Sequence, residues 1–140
     1  MFITEGTFVV CQLYLPNNRY PVMDYLESLA RSDPSCFASV FKKMEKLSDP
    51  NYHSPPAVKW LKGENLRGIR ELRVIAGNTR HYARLPFIVS GGRVVLLFGE
   101  TKKGGKPPHG FIGRAIEYRD YVLTNQENSY EQIDFNVFED

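Results

Sequence analysis

Histidine and cysteine are scarce in this chain, with three and two among 140 residues. Cys11 and Cys36 lie far apart and form no CxxC pair. Neither a disulfide framework nor a zinc site is expected, and both read as buried thiols of a reducing compartment. With so few histidines and no clustered carboxylates there is little from which to build a metal site, so no metal and no cofactor is expected. No apolar run approaches the ~18 residues that a membrane span needs. Met1-Phe2-Ile3-Thr4-Glu5 lacks a basic stretch followed by an apolar one, so no secretory signal is expected and a cytoplasmic location is. GxxxxGK[ST], GxGxxG in a strand-to-helix setting and HExxH are absent. Gly91-Gly92 and Gly104-Gly105 read as turn glycines rather than phosphate cradles.

What is present is a globular composition: 42% hydrophobic, 13% aromatic and 24% charged residues. That is enough for one domain with one core. The net charge of +2 conceals an uneven distribution. Residues 59–106 hold eleven Lys and Arg against three acids, a net +8. Residues 124–140 hold five acids and no Lys or Arg. A basic body points to a polyanionic partner, and the acidic tail is a candidate competitor for it.

Thr7 to Leu15 reads as a strand, ended by Pro16-Asn17-Asn18. Pro21 to Arg31 has helical spacing at Val22, Tyr25, Leu26, Leu29 and Ala30. Asp33 suits an N-cap and Pro34 a first helical position, so a second helix runs to about Leu47 and completes an αα-hairpin. Residues 49–56 are a loop on composition, with His53 read as solvated. Val58 to Gly63 is a short amphipathic connection in which Trp60 anchors the loop to the body. Three strands follow, Ile69–Ile75, a run from Arg80 through Val89, and Val94–Phe98. They form a meander whose apolar side meets the hairpin. Pro86 cannot donate to a ladder, which predicts a bulge or a local gap in pairing. Lys102 to Lys106 reads as a mobile basic loop, His109 to Leu123 as a last helix, and the segment after it as a tail whose Tyr130, Ile133, Phe135, Val137 and Phe138 argue against simple disorder and for an added strand or a course across the body. The domain organisation is therefore a body, 1–123, and an acidic tail, 124–140.

By alternation Arg73, Tyr82 and Arg84 share the side of the meander away from the hairpin. Arginine grips phosphate through a planar fork of donors, and a tyrosine ring offers a stacking platform for a base. Cleaving RNA also needs a group to activate the 2′-OH and one to protonate the leaving oxygen. Glu71, His81, Glu100, His109, Tyr118 or a lysine with a depressed pKa are the candidates, and the sequence does not choose among them. Alternation turns His81 toward the packed side, as a structural histidine.

Leu61-Lys62-Gly63, Glu71-Leu72-Arg73, Tyr82 to Leu85, Leu96-Leu97, Lys102-Lys103, Lys106-Pro107 and the helix from His109 occur in an order and spacing that resemble the RelE/HigB-like toxins. The nearer resemblance is to the phage-derived Gp49-like HigB group, over roughly residues 7–123. The resemblance implies an α+β, RelE-like fold, with an N-terminal strand and helical hairpin on a twisted antiparallel sheet and a C-terminal helix. It implies the toxin of a type II toxin–antitoxin pair, an endoribonuclease that cuts mRNA on the ribosome without a metal and so inhibits translation. The partner would be a cognate antitoxin, often a helix-turn-helix protein. Catalytic roles carry over to Arg73, Arg84, Lys102 and Lys103, with Arg70, Tyr82, Lys106 and His109 as the residues holding RNA around them. Glu100 and Pro86 stand where the family usually has aromatic residues, and the tail is longer than most members carry. A non-catalytic RNA- or protein-binding module on the same fold is the alternative.

Overall fold

The computed structural model describes residues 7–75, 81–103 and 109–136, with the backbone alone at His81, Lys102 and Lys103. Among the described residues the chain is α+β, with seven strands and three α-helices. The strands are β1 (Val9–Leu13), β2 (Val58–Trp60), β3 (Ile69–Ile75), β4 (His81–Ser90), β5 (Arg93–Leu96), β6 (Glu100–Lys103) and β7 (Tyr130–Gln132). The helices are α1 (Pro21–Ser32), α2 (Pro34–Glu45) and α3 (Phe111–Asn125). One sheet runs β2-β3-β4-β5-β1-β7, with β6 also beside β4. Its pairs are antiparallel except β1 with β5, which run parallel.

The αα-hairpin forms as its sequence dictates. The Asp33 side chain accepts from the Cys36 N–H at 3.1 Å and Pro34 occupies the first helical position, so the turn satisfies an orphan donor while ending α1. Val22, Leu26 and Leu29 of α1 and Cys36, Val40 and Met44 of α2 are buried. They meet Leu72, Val74, Ala83, Leu85, Phe87, Val94 and Leu96 of the sheet in one core. Both cysteines are buried and free, as expected, and burial pushes both thiols up in pKa. α2 ends two residues earlier than predicted, at Glu45, and gives way to a 3₁₀ turn over Lys46–Ser48.

A second core lies on the opposite face. Phe111, Ala115 and Val122 of α3 cover Cys11, Leu13, Ile69, Ile88, Val95, Leu97 and Phe98. The sheet is thus clasped between the hairpin and α3, and only part of the second face stays open.

The meander departs from its sequence reading at one place. The run expected to continue to Phe98 stops at Leu96, and after Leu97-Phe98-Gly99 the chain re-enters the sheet as β6. β4 is therefore flanked twice on one side, by β5 along Phe87–Ser90 and by β6 along His81–Arg84. Pro86 falls in the gap between them. Its carbonyl accepts from the Leu97 N–H on that side at 2.9 Å, so its missing N–H points to where no strand pairs. The predicted gap is there, while the β3–β4 register runs through it without a bulge. Lys102 and Lys103, read from sequence as part of a loop, stand in β6. Lys106 lies outside the described residues.

The break needs Gly99. A Cβ there would run into the Tyr25 ring, and the Tyr25 hydroxyl hydrogen-bonds Thr101 Oγ1 at 2.5 Å. Burial raises the Tyr25 pKa to about 12 against that bond. β6 is thereby pinned to α1.

The tail does not stand apart from the sheet. Its β7 residues pair with Cys11–Leu13, Ile133 is buried in the hairpin core, and the Phe135 ring lies 5.1 Å from Phe41. β7 sits at the edge of the sheet opposite β2 and β3.

Candidate functional site: an ionic patch on the sheet

β3 and β4 are the longest paired strands, and their register decides which side chains meet. Arg73 faces Arg84, Glu71 faces Pro86, and Ile75 faces Tyr82. All six project to the side away from the hairpin. Toward α3 that side is apolar, through Ile69 and Ile88. Two residues further along, it becomes ionic.

Glu71 organises the change. It is fully buried, and Arg84 Nη1 donates to both of its carboxylate oxygens, at 3.0 and 3.2 Å. The contact is diagonal across the ladder, within reach of a long side chain. Arg73 Nε lies 3.6 Å from the same carboxylate, with a quarter of its side chain exposed. The Tyr82 ring centre lies 5.3 Å from the Arg73 guanidinium carbon and 5.8 Å from that of Arg84. One carboxylate thus sits among two guanidiniums, leaving a local excess of one positive charge beside an aromatic face. Both cation–ring contacts are within the range where the ring quadrupole attracts.

Arg73, Tyr82 and Arg84 come together as the alternation predicts, with one difference of weight. Arg84 is 3% exposed and engaged by Glu71, so Arg73 is the guanidinium of the pair that reaches solvent. Lys102 stands opposite Tyr82 and Lys103 opposite His81 in the β4–β6 register, which brings both backbones beside the patch. His109 is exposed in the turn before α3. Exposed Lys59 of β2, which the sequence reading passed over, stands opposite Glu71. Glu100 faces Arg84 in register, and its carboxylate accepts from Arg114 Nη1 of α3 at 2.6 Å. The Glu100 carboxylate therefore ties β6 to α3.

Arg70 belongs to the other face. Its guanidinium stacks 3.9 Å from the Trp60 ring centre and its Nη1 contacts His53 Nδ1 at 2.8 Å. His53 Nε2 contacts the Leu47 carbonyl at 2.8 Å. Since arginine only donates, Nδ1 accepts and Nε2–H donates, so the imidazole is neutral. Burial lowers the His53 pKa, and the Arg70 charge adds to that lowering. Two expectations are corrected here. His53 is not a solvated loop residue, because Phe87 and Phe8 pack on its ring at 5.4 and 5.2 Å. Trp60 does not anchor the loop, being 48% exposed on an edge strand. The signal that would have found the His53 contact is the 3₁₀ turn at Pro50–Tyr52, set by the Asp49 side chain on the Asn51 N–H.

Among the described residues no group of three His, Cys, Asp or Glu side chains is placed to hold a metal ion, and no helix is long and apolar enough to cross a membrane. No known protein-family model matches the chain, and no curated protein sequence matches it.

Proposed function

We propose that the chain is the toxin of a type II toxin–antitoxin pair, with a RelE-like arrangement of its α+β fold, acting in the cytoplasm on mRNA bound to the ribosome. The observation that carries this reading is the meeting of Arg73, Tyr82 and Arg84 on one sheet face, with the β6 lysine positions alongside. It joins the residue pattern, Glu-Leu-Arg followed by a lysine pair after an apolar strand, to one place in space.

The chemistry asked of the patch is phosphodiester cleavage. Arg73, a quarter exposed and held beside Glu71, is suited to bind the scissile phosphate and to stabilise the charge that grows on it during attack. Tyr82 offers its ring to a neighbouring base. Arg84 acts through Glu71 as a positioning residue that keeps Arg73 over the patch. Lys102 and Lys103 supply further positive charge, and a lysine among several cations is readily lowered in pKa and able to move a proton. The antitoxin would be a cognate, helix-turn-helix protein.

The engagement of Arg84 by Glu71 favours one second reading, a module that binds RNA without cutting it. Inducible expression of the full chain, followed by growth and by mapping of mRNA 5′ ends, separates the two. Growth arrest with new 5′ ends in translated messages is expected. Normal growth with abundant folded protein would overturn the toxin reading. Arrest without new ends would replace cleavage by binding.

A further inference from the structure

A cleft of about 630 Å³ opens where α2 passes the β3–β4 end of the sheet, and its walls include Lys43, Lys46, Tyr52, Arg73 and Tyr82. Its lining holds three cations and no carboxylate. Four other clefts of the described surface each carry at least one carboxylate, from Asp33 and Glu100, Asp24, Glu45 and Asp49, or Asp134. Lys46 is shared with the one that holds Glu45 and Asp49.

The local sequence builds this wall. Lys43, in the last turn of α2, and Lys46, the first residue of the 3₁₀ turn that continues it, are three residues apart and so lie on one side. Met44 and Leu47, buried beneath them, fix that side outward. The Asp49-capped turn then folds Tyr52 back under Lys46, whose ammonium lies 5.8 Å from the Tyr52 ring centre. Tyr82, on the far side, carries Arg73 at 5.3 Å. Each tyrosine is thus paired with a cation, and the two pairs face one cavity of the size that takes a small ligand.

We infer that this cleft binds single-stranded RNA, with Lys43 and Lys46 holding the phosphate next to the one at Arg73 and Tyr52 stacking on the intervening base. Aromatic rings between spaced cations suit a chain of alternating bases and phosphates. An acidic peptide would use the cations and leave both rings idle. The inference rests on the proposed function for its ligand class and extends it from one phosphate to a strand path leading off the sheet onto α2.

The test is fluorescence anisotropy of the full chain with a short, 2′-O-methylated oligouridylate, which cannot be cleaved through its 2′ oxygen. Lys43→Ala/Lys46→Ala should reduce the slope of log affinity against log salt by about 0.7 between about 50 and 200 mM, since the pair holds one phosphate and each phosphate neutralised on a single strand contributes about 0.7. Lys43→Arg/Lys46→Arg should keep the slope. Tyr52→Ala should weaken binding at least about fivefold while leaving the slope unchanged. Lys42→Ala, exposed on the same helix but outside the cleft, should change neither. An unchanged slope in the double alanine variant, an equal loss in the Lys42 variant, or no binding by the unaltered chain at low salt would overturn the inference. So would tighter binding of an oligoglutamate peptide than of the RNA. If the unaltered chain arrests growth while the double variant binds as before, this inference fails and the toxin reading stands. If growth is normal and the slope falls as stated, the toxin reading fails and the cleft assignment stands.

Discussion

The sheet face away from the hairpin is two surfaces that share the same strands. Under α3 it is apolar and closed, with Ile69, Ile88, Val95 and Phe98 packed against Phe111 and Ala115. One step along β3 and β4 it holds Glu71, Arg73, Arg84 and Tyr82, and it opens to solvent at Arg73. The boundary between them is the buried Glu71–Arg84 pair. An ion pair taken out of water on a small domain is a costly way to finish a core, and well-packed apolar residues of similar size would do as well or better. What the pair does here that apolar residues could not is hold a second guanidinium at a fixed place beside an aromatic ring. The closed half is built for stability, and the open half keeps its charge at some cost to it.

Removing Glu71 attacks that boundary and should have the largest effect. Glu71→Ala leaves Arg84 buried without its counter-charge and should cost roughly 3–5 kcal/mol, read as a lower urea midpoint at unchanged slope. A cost below about 1 kcal/mol would mean that water already reaches Arg84. Arg84→Ala breaks the same pair, so loss of activity in that variant would report unfolding as much as chemistry.

Gly99 comes next, because it sets where the closed half ends and β6 begins. Gly99→Ala drives a methyl group into the Tyr25 ring, and overpacking of this kind costs about 1–3 kcal/mol. The Tyr25–Thr101 bond should break, and since that bond lowers the phenol's pKa while burial raises it, a Tyr25 ring that stays buried should titrate higher than in the unaltered chain, which ultraviolet titration follows.

The hairpin face offers the smallest effect and a contrast. There Arg70 is held by a neutral imidazole rather than a carboxylate. The His53 pKa is lowered in the folded protein from its ordinary 6.5, so the native state binds fewer protons than the unfolded chain. Stability from this contact is complete above about pH 6.5 and declines as pH falls below it toward the folded value. His53→Phe should flatten that acid-side decline in a series of thermal melts. An unchanged decline would assign it elsewhere.

The sequence made the hairpin, the strands around Arg73 and Arg84 and the final helix legible, because long apolar periodicities and the Asp33-Pro34 start leave few alternatives. β2, β6 and β7 are three or four residues long, too short for alternation to show, and they exist because a neighbouring edge was there to pair with. The same limit hid the unequal fates of Arg73 and Arg84. Both sit on the predicted face, but which one Glu71 captures depends on a register that places Glu71 opposite Pro86. His53 was misread for a related reason, since its partners Leu47 and Arg70 come from a helix end and a strand that only the fold brings together. The tail reads as acidic by composition, but its apolar residues already spoke for an added strand or a segment lying across the body. β7 is that strand, Ile133 and Phe135 belong to the hairpin core, and up to Asn136 the tail offers no cover for the ionic patch.

The central claim is that the open half of this face, through Arg73, acts on RNA. It is tested most directly by expressing Arg73→Ala beside the unaltered chain and counting new mRNA 5′ ends. Glu71 keeps both of its contacts from Arg84 in this variant, so folded protein should accumulate, which a urea midpoint measured beside the growth assay checks. The account predicts growth restored and the new ends gone. Arrest and cleavage undiminished in folded Arg73→Ala would contradict it.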